Sequence, residues 1–147
     1  QKLNGGVYAL YGRGGNVGFL VGVDAVVVVD SQFRDLAPGI VAKIRSVTDK
    51  PIKYLINTHH HGDHVGGVVA SPRAPDLAGK TILTRTQVQS LMTSPQMPEV
   101  RLSADAAKRY VVVDYSDYYP AAPGMAFIKA PGHTPGSTCF LRTLSFP

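Results

Sequence analysis

The amino-acid sequence predicts an α/β fold, and three observations in its first third carry that expectation. Residues 25–29 are an unbroken run of small and β-branched apolar residues, the composition of a strand buried on both faces. Leu36, Ile40, Ile44 and Val47 then recur at the spacing of one helix face. Residues 52–57 return to a strand-like run, so the order is strand, helix, strand, which winds a parallel sheet with helices packed on it.

The remaining elements follow in chain order. Residues 5–11 form a short apolar strand, Gly12-Arg13-Gly14-Gly15-Asn16 a turn, and residues 17–21 a second strand, together a hairpin. Gly22-Val23-Asp24 turns the chain into the valine run, which ends at Asp30. Pro38-Gly39 sits in or just before the first turn of the helix, and Pro51 closes it. Residues 71–76 are a polar, proline-broken connection, and residues 81–84 a short strand. Gln87, Val88, Leu91 and Met92 mark a short helix that Pro95 and Pro98 break. Residues 102–110 are compatible with another helix and residues 111–113 with a strand. Tyr115, Tyr118 and Tyr119 lie in a segment made irregular by Pro120 and Pro123, where packing or surface exposure outweighs a place at a groove entrance. Residues 125–130 lead as a strand into a Gly/Pro-constrained loop around His133, and residues 138–141 form a last strand that buries Cys139.

Composition narrows the function classes. With 44% hydrophobic and 17% charged residues the 147-residue chain has a folding composition, and a single domain over residues 1–147 is the expectation. The lone Cys139 forms no intramolecular disulfide and no thiolate zinc cluster, so metal chemistry falls to histidine. No run approaches the roughly 20 apolar residues of a membrane span, and Gln1-Lys2-Leu3-Asn4 has no signal-like stretch. A leader removed earlier would place the protein in the periplasm or outside the cell, so the compartment stays open. The net charge of +5 invites a polyanion partner. Its Lys and Arg residues are scattered, however, with only short pairs such as Lys43/Arg45 and Lys108/Arg109. Nucleic acid is therefore not the first reading, and an anionic small-molecule substrate suits the surface as well.

The chemical signal is Thr58-His59-His60-His61-Gly62-Asp63-His64, which places four of the five histidines within six positions just after a strand. On a loop leaving that strand, His59 and His61 turn to one side, while Asp63 and His64 reach a neighbouring point. The spacing describes one nitrogen-rich metal position beside another with an oxygen ligand, and zinc fits this donor set best. Alternation points His60 away, as a bystander or outer-shell residue. Asn57 and Thr58 have local hydrogen-bonding roles. Folding can bring His133 to His59 and His61, completing three imidazoles and leaving a fourth tetrahedral position for water, the arrangement of a catalytic site. Ser137 has no nucleophile-elbow context.

These residues resemble the metallo-β-lactamase superfamily. The likeness rests on Asn57-Thr58, on His59, His61, Asp63 and His64, and on Gly132-His133-Thr134-Pro135-Gly136-Ser137, with support from residues 14–20 and the strand ending at Asp30. The resemblance implies an αββα sandwich. It also implies a first metal on His59, His61 and His133, a second served by Asp63 and His64, and an organising role for Asp30. Family members of the two-metal kind carry a further Asp, or in some lactamases a Cys, and then a final His beyond the Gly-His-Thr loop; no Asp or His follows Thr138 here, and Cys139 lies too early for that distant position. The second metal site and the C-terminal side of the sandwich are therefore expected to be incomplete, through truncation, missing segments, or completion by a second copy in a homodimer. The implied activity is zinc-dependent hydrolysis, in which a metal-acidified water attacks a lactam or related carboxylic ester or amide and Asp63 orients that water or moves its proton. A phosphodiester hydrolase is the nearest enzyme alternative. A catalytically inactive metal-binding or assembly module is the alternative from another class.

Overall fold

The computed structural model describes residues 1–69, 80–122 and 124–143. The proline-broken connection expected at residues 71–76, and Pro123, lie outside them. Two sheets face each other. The first has six strands in the order β1-β2-β3-β4-β5-β6: β1 (Val7–Leu10), β2 (Val17–Val21), β3 (Val26–Val29), β4 (Ile52–Ile56), β5 (Lys80–Thr84) and β6 (Val111–Val113). The first three are antiparallel neighbours, as the two Gly-rich turns require, and β3 to β6 run parallel.

Helices cover one face of this sheet. In α1 (Ala37–Arg45), with Pro38 in its first turn, Ile40 and Ile44 are buried against Val26, Val28 and Leu55. Burying a side chain such as Ile44 stabilises by roughly 1.5–3 kcal/mol. The helix stops before Val47, which is exposed, so it is shorter than the apolar spacing predicts. Next, α2 (Gly62–Val69) and α3 (Arg85–Thr93) bury Val65, Val69 and Leu91 against Leu83 of β5. At Gly67 the helix meets the backbone after β3: a Cβ there would overlap the Ser31 carbonyl. The Gly67 N–H donates to Gln32 O at 2.7 Å, and Ser31 N–H donates to His64 O at 2.7 Å. The contact draws the end of β3 and the start of α2 together. The helix expected over residues 102–110 contracts to α4 (Ala104–Ala107), capped by Ser103 Oγ.

The second sheet, β7 (Tyr118–Ala122), β8 (Met125–Lys129) and β9 (Thr138–Arg142), is antiparallel in that order. A strand through Pro120 departs from the irregular segment expected. Among the described residues β7 pairs only with β8, and its register shifts between Pro120 and Ala122, the edge-and-bulge setting in which a proline costs little. Phe127, Tyr119 and Phe140 fill the space between the sheets against Ile56 and Val113. Val27 and Val29 face this way and are half-buried, so β3 is sealed on its helix face alone. Because Phe140 points inward, its neighbours Cys139 and Leu141 point outward, and Cys139 is exposed instead of buried. Helix, sheet and sheet form three layers of an incomplete αββα sandwich. No described helix is long and apolar enough to cross a membrane.

Candidate metal centre

The site forms where the parallel strands end. β3 delivers Asp30, which is buried and has a left-handed backbone at φ 65°, while β4 delivers Asn57 and Thr58, followed by the histidines and the first turn of α2. The Asp30 carboxylate accepts from Thr58 N–H and from the Thr58 hydroxyl, each at 2.7 Å, and sits 2.7 Å from His64 Nδ1. Thr58 Oγ1 lies 3.0 Å from His59 Nδ1. Its one proton is given to Asp30, so the Thr58 oxygen accepts from His59 Nδ1–H, and His59 Nε2 is left with a lone pair. That Nε2 is buried without a protein partner, an orphan that a cation would satisfy.

His61 stands two residues on, and His133 arrives from the loop between β8 and β9. His61 Nδ1 and His133 Nε2 are 3.0 Å apart, and ligand atoms of His59, His61 and His133 all lie within 4.8 Å of one another. A tetrahedral zinc would need its ligand nitrogens about 3.4 Å apart, a spacing that falls within the 4.8 Å span of this trio. His59 is buried, His61 half-buried and His133 exposed, so the cluster opens on the His133 side.

Electrostatics favour neutral ligands. Burial, reinforced by the charges of His64, His61 and His133, pushes His59 down to about 4 from the ordinary 6.5. Burial and then His133 lower His61. His64 differs: burial pulls it down, but the Asp30 hydrogen bond and the Asp30 and Asp63 charges outweigh that, and its pKa is raised. His64 Nε2 is 3.6 Å from Asp63 Oδ2, and its ring centroid is 4.0 Å from that of His59. Both residues belong to the first turn of α2, although the sequence suggested a loop, and the Gly14-Gly15 backbone of the first hairpin lies against them. Among the described residues, His59, His61 and His133 are the group of three or more metal-capable side chains that converges.

His60 is buried outside this trio. The Tyr115 hydroxyl meets Thr138 Oγ1 at 2.5 Å, and Tyr115 and Tyr119 pack between the sheets while Tyr118 is exposed. Ser137 Oγ is occupied by the Thr134 N–H and hydroxyl, a loop-bracing arrangement. The sequence reading passed over the role of Gln87, buried on α3 and bonded to both histidine loops. The one local signal that could have marked it is the Thr84-to-Gln87 capping-box spacing, which the structure shows formed.

Comparison with known proteins agrees with this fold. The model of the metallo-beta-lactamase superfamily matches residues 10–143. Linear primary-alkylsulfatase from Pseudomonas sp. (strain ATCC 19151) is 30% identical over 81 residues, which cover 49% of this chain and 15% of that protein. Among solved structures, Rm3 metallo-beta-lactamase superposes with a TM-score of 0.66 at 20% identity, over 92% of this chain and 53% of its own. The Cronobacter sakazakii metallo-beta-lactamase with the HARLDQ motif superposes with a TM-score of 0.69 at 18% identity, over 92% and 50%. The chain thus spans about half the length of these structures and a smaller part of the curated relative.

Proposed function

Because the chain belongs to the metallo-β-lactamase superfamily, a family of hydrolases, we propose that it is a zinc-dependent hydrolase whose ion is held by His59, His61 and His133. The observation that carries this reading is the convergence of those imidazoles, with His59 Nε2 buried and unpartnered. A zinc ion held there would supply an acidified water and polarise the carbonyl oxygen of the group under attack.

The chain's own residues supply the rest. Asp30 and Thr58 fix the His59 tautomer and ring orientation. Asp63, partly exposed beside His64, takes the role of orienting the attacking water and accepting its proton in this reading. Asp63 and His64 offer two donors to a neighbouring cation, too few for a closed site, so the reading assigns one tightly held zinc per chain.

The preferred substrate is a small molecule with a lactam or related carboxylic ester or amide bond. A sulfate ester is the second reading, motivated by the local identity with the alkylsulfatase. Zinc-loaded protein would be assayed for metal content and against lactam, lactone, thioester, carboxylic ester, phosphodiester and sulfate ester substrates. One zinc per chain is expected, lost in His59→Ala and His133→Ala. Asp63→Asn should keep the zinc while turnover drops by about 10²–10⁴. Folded protein that takes up no zinc sinks the reading; zinc without turnover on any substrate leaves a noncatalytic metal-binding module.

A further inference from the structure

Beside the site lies a buried polar side chain that the chemistry above does not use. Gln87, in the first turn of α3, is 0% exposed, and a buried amide is costly unless its donors and acceptor are all satisfied. Its Oε1 accepts from the Thr84 N–H at 3.0 Å, while Thr84 Oγ1 accepts from the Gln87 N–H at 3.1 Å. This capping box decides which end of the amide faces away from the helix. The Nε2 end then donates toward three carbonyl oxygens: Asn57 at 3.0 Å, Thr58 at 3.0 Å and Gly136 at 2.9 Å.

Asn57 and Thr58 lead directly into His59 from the end of β4, an inner strand of the first sheet, and Gly136 lies on the loop of the second sheet that carries His133. The backbones of the two loops are also joined by Thr138 N–H donating to Thr58 O at 2.8 Å. One side chain, held rigidly by a helix, therefore spans the two loops whose spacing decides whether three imidazoles can share an ion. Resting on the zinc-site reading, we propose that Gln87 is a positioning residue that sets His133 against His59 and His61 and thereby the zinc affinity of the site.

The amide itself is required. Glutamate has the same shape but would turn an oxygen without a proton toward three carbonyls, and methionine has the length but no donor, so Asn57 O and Gly136 O lose this partner and Thr58 O keeps only the Thr138 N–H. The test uses Gln87→Glu and Gln87→Met, read by zinc affinity in competition with a chromophoric chelator and by the d–d absorption of the cobalt(II)-substituted protein. Zinc binding should weaken by about 10- to 100-fold, with an altered cobalt spectrum and a native far-UV circular dichroism spectrum. Gln87→Asn keeps an amide but is one methylene short of Gly136, and it is read the same way if either of the others does not fold. Leu91→Ala is the control, on the same helix and fully buried in the apolar cluster away from both loops. It should lower the melting temperature and leave zinc affinity unchanged. Gln87 variants that bind zinc like wild type, or a Leu91→Ala variant that loses zinc equally, overturn the proposal. Wild-type protein that binds no zinc, or binds it independently of His133, overturns the zinc site and this inference together; silent Gln87 variants beside a His133-dependent site overturn this inference alone.

Discussion

At Thr58 one hydroxyl proton decides which nitrogen of His59 is free. It is given to Asp30, the Thr58 oxygen accepts from Nδ1–H, and Nε2 becomes the available lone pair. Thr58→Val keeps the shape and removes that relay. Zinc affinity should fall by about tenfold or more, and an isotherm superimposable on wild type would refute the relay. The same cluster sets an acid limit on the metal-free protein. His59 is pushed down to about 4, and His60 and His61 are lowered, chiefly by burial. For a lowered histidine the unfolded chain takes the proton more readily, so stability is present above 6.5 and is lost as pH falls toward 4. His64 is raised and acts oppositely, adding stability below 6.5 that fades as pH rises through its folded pKa. The His59 shift is the large one, so the urea midpoint of chelator-stripped protein should drop between pH 7 and pH 5. A midpoint that holds or rises would contradict these shifts.

Among the elements, α2 shows how packing overrides local preference. Glycine is a weak helix former, and Gly62, Gly66 and Gly67 disguise the segment as a loop in the sequence. Its close seat on residues 31–34 makes it a helix and brings His64 to Asp30. Gly67→Ala should therefore destabilise by about 1–3 kcal/mol, since backbone opposes the new Cβ. Gly39 of α1 has nothing within 4 Å of such an atom, and Gly39→Ala should stabilise by roughly 0.5–1 kcal/mol. Thermal melts of the pair check both signs, and a neutral Gly67→Ala would show that α2 can slide. The hairpin, the valine strand, the first crossover helix and the His59–His64 cluster were legible because turn residues, apolar period and ligand spacing are local signals. β7 was hidden because only an unpaired strand edge tolerates Pro120, and the outward turn of Cys139 because Phe140 claims the inner face. The hold of Gln87 was beyond local reading, since its partners lie 29 to 49 residues away in sequence.

For the whole molecule, the three proposed ligands are divided between layers. His59 and His61 follow β4 of the first sheet, and His133 precedes β9 of the second. Among the described residues the sheets also meet through a small aromatic cluster around Phe127, the Gln87 amide and the bond from Thr138 N–H to Thr58 O, and Tyr118 and Leu141 stay 65% and 52% exposed on the outer face. A three-strand sheet covered on one face is at the lower limit of what is stable on its own. An ion bound across the gap therefore ties the less secured layer to the better secured one. Free zinc at a thousandfold excess over its dissociation constant adds about 4 kcal/mol to the folded state. In a chain of this size that corresponds to a rise of roughly 8–16 °C in melting temperature. Linkage alone does not say where the stability appears, but the division of ligands does. Zinc should slow hydrogen exchange in β8, β9 and the His133 loop more than in β1, β2 and α1, and His133→Ala should abolish both the thermal shift and the added protection. A zinc effect spread evenly over both sheets, or one that survives the loss of His133, would mean that the ion does not bridge the layers.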